Sequence, residues 1–155
     1  MANLVTVQDI DKKFETLKGP VRKQVSDILT VLKKDGVAID VLLIGNRKMR
    51  SLNKRYRGKD ASTNVLSFEE PKGFAYPTGM AKRKWEIYLN PEMSSDWWRT
   101  RNAKKAEEYL DIRFLLVHGV LHLFGYDHIK DGDAVTMERK ESQTMRSLQN
   151  KKIRH

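Results

Sequence analysis

Residues 118–128 read HGVLHLFGYDH and hold three of the chain's four histidines. The chain has no cysteine, so any zinc site must be built from imidazole and carboxylate. In a helix His118 and His122 lie about 6 Å apart along the axis and roughly 40° around it, so both rings can point to one place. His128 follows six residues later. A continued helix would carry it about 9 Å along and roughly 240° around, out of reach. The helix must therefore stop first. Gly125 stands where it can, since glycine takes the left-handed conformation that ends helices at little cost. The chain can then double back through Tyr126 and Asp127 and present His128. Three neutral imidazoles leave one position of a tetrahedral zinc to water, the arrangement of a catalytic site. A lone histidine in an apolar helix is usually a packed core residue, but the pair, the glycine break and the third histidine together predict one zinc per chain. His155, in the basic tail, has no part in it.

The same spacing occurs in the metzincin protease signature H-E-x-x-H-x-x-G-x-x-H. The glutamate that serves those proteases as general base is here Gly119. Glycine inside a helix costs about 1 kcal/mol relative to alanine, and its presence predicts a need for space over the metal. A hydrolase that relies on the metal for its nucleophile and admits a bulky substrate fits better than a peptidase.

Such a cluster has to be positioned by a fold. The 155 residues suit one domain, 1–155, with a short basic C-terminal tail over 150–155. Apolar content of 39% with 32% charged residues excludes a disordered or fibrous chain. The N-terminus lacks the apolar segment of a signal peptide, and no apolar run approaches a membrane span. A cytoplasmic protein without membrane contact is expected. Thirty Lys and Arg against twenty Asp and Glu give +10, a balance that points to polyanions and above all to nucleic acid.

Along the chain, LVTVQD (4–9) reads as a strand. PVRKQVSDILTVLKKDG (20–36) reads as an amphipathic helix with Val21, Val25, Ile28, Leu29 and Leu32 on one side, closing on Gly36. VAIDVLLIG (37–45) reads as a buried strand whose one charge is Asp40. Asn46 can cap a second helix with Met49, Leu52 and Tyr56 on one face. Seven cations and no acid lie between Arg47 and Lys59. NVLSFEE (64–70) and WEIYLNP (85–91) read as further strands, joined by a loop rich in proline, glycine and cations. The longest helical pattern, 104–124, has Ala106, Leu110, Phe114, Val117, Leu121 and Phe124 as its buried stripe, and a last helix covers 133–149. The expected class is α+β, a small mixed sheet of about four strands packed with helices, one of them long, metal-bearing and ended by a glycine turn.

The histidine motif closely resembles the H-G-x-L-H-L-x-G-Y-D-H signature of the YbeY family. YRGKDASTNVLSF (56–68) is similar to that family's Y-R-x-x-D-x-P-T-D-V-L-S-F. Ser62 and Asn64 depart from its proline and aspartate, and Trp85 stands where a glycine commonly precedes the acid of the fourth strand. The resemblance implies a zinc-dependent endoribonuclease that prefers single strands. It acts in ribosomal RNA maturation, at the 3′ end of the small-subunit RNA, and in ribosome quality control. It also implies that the family's key arginine falls on Arg57, with RNA and ribosomal subunits as partners.

Phosphodiester cleavage needs a nucleophile and stabilisation of charge growing on phosphoryl oxygens. A histidine-bound zinc lowers the pKa of its water from about 15.7 to about 7. Arg57 would supply a planar pair of donors matched to phosphate. Arg47, Arg50, Lys54 and Lys59 suit backbone contacts that fix position but not sequence. Asp127, beside His128, could orient a ligand imidazole or cap the turn. Two other readings stay open: an RNA-binding ribosome assembly factor whose zinc is structural, and, less favoured, a metallopeptidase.

Overall fold

The computed structural model describes residues 2–68, 84–93, 110–126 and 131–153. Four strands, β1 (Leu4–Asp9), β2 (Ala38–Leu43), β3 (Val65–Phe68) and β4 (Lys84–Leu89), form one sheet in the order β1-β2-β4-β3. β1, β2 and β4 run parallel, and β3 is an antiparallel edge. The mixed four-stranded sheet expected from the sequence is therefore present.

Alternation along the strands divides their side chains between two faces. Val7, Ile39, Val41, Leu43, Trp85, Ile87 and Leu89 all enter one core, which α1 (Lys18–Val31), α3 (Leu110–Leu123) and α4 (Asp131–Ile153) share on the same face. β2 is buried along its whole length, lying between β1 and β4 inside the sheet. Its single charge is satisfied from the neighbouring strand. Thr6 Oγ1 donates to one Asp40 oxygen at 2.9 Å and Gln8 Nε2 to the other at 2.8 Å.

Three helix details differ from the sequence pattern. α1 ends at Val31, not at Gly36, with Lys33 in the left-handed region at φ 57°. The Lys33 and Lys34 amides close back onto the carbonyls of Thr30 and Leu29, and Asn3 Nδ2 holds the Lys34 carbonyl at 2.9 Å. These bonds offset the roughly 1–2 kcal/mol that a side chain costs in that conformation. At α2 (Asn46–Arg57) the cap position is Gly45. Asn46 does not cap, because its Oδ1 accepts from Asn90 Nδ2 at 2.7 Å and Ser62 Oγ at 3.1 Å. A Cβ on Gly45 would come 2.8 Å from Glu92 Oε1, the oxygen that accepts the Asn46 amide at 3.4 Å. Further along α2, Met49 and Asn53 are the buried residues, Leu52 is half-buried, and Tyr56 is exposed rather than inward.

Candidate active site

α3 is apolar on nearly every side. From Ile112 to Leu123 it is buried except at Phe114, His118 and His122, spaced four residues apart so that they form one seam. Phe114, expected in the buried stripe, is 43% exposed. The expectation fails at Phe114 alone among the described members of the stripe, Val117 and Leu121 being buried and Phe124 packed against the core, because α3 packs against β3, β4, α1 and α4 at once and leaves this seam uncovered. The helix ends as the glycine predicted. Gly125 takes φ 92°, its amide bonds the His122 carbonyl at 3.0 Å, and the Tyr126 amide bonds the Leu121 carbonyl at 3.1 Å, the paired closure of a left-handed C-terminal cap.

The two histidines meet as their spacing required. Their Nε2 atoms are 3.0 Å apart and the ring centroids 4.5 Å apart. Behind His118, Nδ1 lies 3.2 Å from Glu141 Oε2. With Nδ1 as donor and the Glu141 carboxylate as acceptor, Nε2 would turn its lone pair toward His122. Tetrahedral zinc with bonds of about 2.0–2.1 Å separates two nitrogens by about 3.3 Å, close to what the pair presents. Among the described residues no group of three metal-ligating side chains comes together. His128 and Asp127 lie outside the described residues.

Glu141 is the site residue that sequence reasoning missed. It is buried on α4, in a stripe with Met137, Thr144 and Leu148. An acid inside an apolar stripe was the available signal, because buried carboxylates are rare unless something partners them. What it partners could not be read from a position 23 residues away.

Gly119 does not open space over the metal. It faces the sheet, where a Cβ would lie 3.1 Å from Ser67 Oγ, 3.3 Å from Val65 Cγ2 and 3.5 Å from Ile87 Cγ2. The glycine lets α3 approach β3 closely, and a glutamate here would be driven into the sheet. Ser67 Oγ donates to the Gly119 carbonyl at 2.9 Å, and Arg57 Nη2 donates to the Ser67 carbonyl at 3.3 Å. Through this one residue Arg57, at the edge of β3, is tied to the turn of α3 that carries His118.

The remaining cations divide. Arg50 is held by Asp60, through Nε at 2.8 Å and Nη2 at 3.2 Å, while Arg47, Lys54 and Lys59 are exposed. Of the departures from the family pattern, Ser62 joins the Asn46–Asn90 cluster. Trp85 packs edge-on against Phe124 at 4.8 Å and so supports the end of α3.

A family model described as "Endoribonuclease YbeY" matches residues 5–149. A protein of that name from Chelativorans sp. is 35% identical over 86% of this chain and 80% of its own length. One from Carboxydothermus hydrogenoformans is 32% identical over 96% and 97%. Another from Anaeromyxobacter sp. is 34% identical over 82% of this chain but only 62% of its own length, so this chain spans less than two thirds of it. In fold, a Thermotoga maritima protein solved in solution is similar, with a TM-score of 0.57, 23% identity and coverage of 96% of this chain and 91% of that one.

Proposed function

This chain belongs to the YbeY family of endoribonucleases, and from that premise we propose that it is a metal-dependent endoribonuclease. Its substrate is single-stranded ribosomal RNA, at the 3′ end of the small-subunit RNA, and its setting is the cytoplasm, in ribosome maturation and quality control. No helix among the described residues is long and apolar enough to cross a membrane. The whole chain, 1–155, acts as one hydrolase domain with its basic end over 150–155.

The observation that carries this reading is the pair of Nε2 atoms 3.0 Å apart on the seam that the described side chains of α3 leave open, with a buried carboxylate behind one of them. His118, His122 and His128 would hold one zinc ion. When bound, it supplies Lewis acidity and a water acidic enough to ionise near neutral pH. Glu141 keeps the His118 proton on Nδ1 and fixes the ring, as carboxylates behind metal-bound histidines do. Asp127 would serve His128 in the same way. Arg57 meets the phosphate as negative charge grows on its oxygens, where a planar pair of donors contributes most. Arg47, Lys54 and Lys59 hold the backbone on either side, and Arg50 adds less because Asp60 already engages it.

The peptidase reading loses its ground at Gly119, since the position of the protease base faces β3. Purified protein is to be incubated with structured RNA that carries single-stranded segments, with and without chelator, and then with zinc restored. Cleavage that chelation stops and zinc restores is the expected result. Chelator-insensitive cleavage, or none in any condition, would overturn the proposal.

A further inference from the structure

The face of the sheet turned away from α1, α3 and α4 carries a row of aromatic rings. Ser67 points toward α3, so its neighbour Phe68 points to the other face. Tyr88, between the core residues Ile87 and Leu89, points the same way. The rings of Tyr56, Phe68 and Tyr88 stand edge to face in series, with centroids 5.5 Å and 5.6 Å apart. Tyr56 is 55% exposed, and Phe68 and Tyr88 are half-buried. The guanidinium of Arg57 lies 5.4 Å from the centre of the Phe68 ring, and that of Arg55 lies 5.3 Å from the centre of the Tyr56 ring.

We propose that the exposed end of this row, Tyr56, is the platform on which a base of single-stranded RNA stacks, held from behind by Phe68 and Tyr88, with Arg55 and Arg57 neutralising the adjoining phosphates. The inference rests on the reading of the chain as an RNA-cutting enzyme and specifies where the strand lies. Flat aromatic faces beside cations bind an unpaired strand with little preference for sequence, because every base offers a π-face. A duplex keeps its bases stacked inside and cannot use such a platform, so the row would itself select single strands. The placement of charge favours RNA over a protein partner. The row adjoins α2, where seven cations and no acid lie between Arg47 and Lys59, a charge density suited to a polyanion. A strand crossing the β3 edge would pass from Phe68 over Arg57 toward the α3 seam, since Ser67 links that edge to Gly119.

The test uses the purified full-length metal-loaded protein and three single-stranded probes of equal length: oligouridylate, oligothymidylate and an abasic strand. Binding is read by fluorescence anisotropy, with the probes checked intact on a gel. Wild type should prefer base-bearing strands to the abasic one. Tyr56→Ala should weaken oligouridylate binding about tenfold, within the range for one lost stack, and remove most of that preference. Tyr56→Phe should restore both. Because no cation is removed, the slope of affinity against salt should stay as in wild type. In cleavage assays Tyr56→Ala should raise KM and leave kcat nearly unchanged. Equal binding of abasic and base-bearing strands by wild type, or unaltered affinity in Tyr56→Ala with an unaltered melting temperature, overturns the platform. Chelator-sensitive cleavage that persists in Tyr56→Ala with unchanged KM would sink this inference alone. Base-dependent binding without cleavage would sink the enzyme reading and leave the platform standing.

Discussion

From Ile112 to Leu123 helix α3 is buried on every side but the His118 seam, whereas α2 is exposed on every side but that of Met49 and Asn53. The one is held by a sheet and two helices, and on the proposed reading it carries ligands that converge on a point. The other is anchored at its ends: by Gly45 against Glu92 at the start, and by Gly58 at φ 71° at the finish. It carries cations, which on the proposed reading meet a flexible polyanion. A metal site gains from neighbours that fix its rings, because ligands displaced by even half an ångström bind poorly. A phosphate-binding surface works through charge that water and counterions already surround, and it tolerates looser placement. The contrast implies that substitutions in α3 act through metal and fold, and those in α2 through substrate.

The largest effect should come from His122→Ala, which removes one of two convergent nitrogens. Metal content by elemental analysis should fall from one per chain to near zero and cleavage should vanish, while the helical circular dichroism persists because the side chain is only half-buried. Full metal occupancy in this variant would break the assignment of the seam.

Gly119→Leu should rank next, at roughly 3 kcal/mol of lost stability, the upper end for overpacking. In a chain of this size that lowers Tm by about 6–12 °C. The matched change on the other helix, Ser51→Leu at an exposed position, should stay within about 0.5 kcal/mol. Similar melting temperatures for the two would erase the difference between the helices.

Arg57→Ala should keep its metal and fold, bind RNA only modestly worse, and cleave about a hundredfold more slowly. Arg57→Lys should recover part of this, having the charge without the planar fork. Arg50→Ala, which releases a residue already engaged by Asp60, should change affinity slightly and kcat not at all. Indistinguishable kcat values for the two alanine variants would reduce Arg57 to ordinary basic surface.

The smallest effect sharpens the comparison from the α3 side. Glu141→Gln should weaken zinc binding about tenfold in competition with a chelator, the lower range for losing a carboxylate behind a metal-bound histidine. A variant with wild-type zinc affinity would show that the contact with His118 serves packing only.

Much of this molecule was legible along the chain because local geometry is set by the residues themselves. The four strands follow from alternation and β-branched runs, and all four lie within the predicted stretches apart from Lys84 at the start of β4. The convergence of His118 and His122 follows from the pitch of a helix, and the stop after them from the freedom of Gly125. α4 runs over Asp131–Ile153, beyond the predicted 133–149 at both ends, because the polar residues there neither favoured nor broke the helix in the pattern.

The sequence by itself determined which residues share a face of one element, since 3.6 residues per turn and alternation in strands do not depend on what lies opposite. Only the tertiary structure decided what each face meets. Helical pattern puts Phe114 inside, and it stands outside; a glycine at 119 suits open space over a metal, and it clears β3; Asn46 suits a cap, and it serves Ser62 and Asn90 instead. Glu141 joins His118 across 23 residues, and Ser67 joins Arg57 to α3 across 52. Such pairings depend on packing between elements distant in the chain, where no local periodicity carries the information.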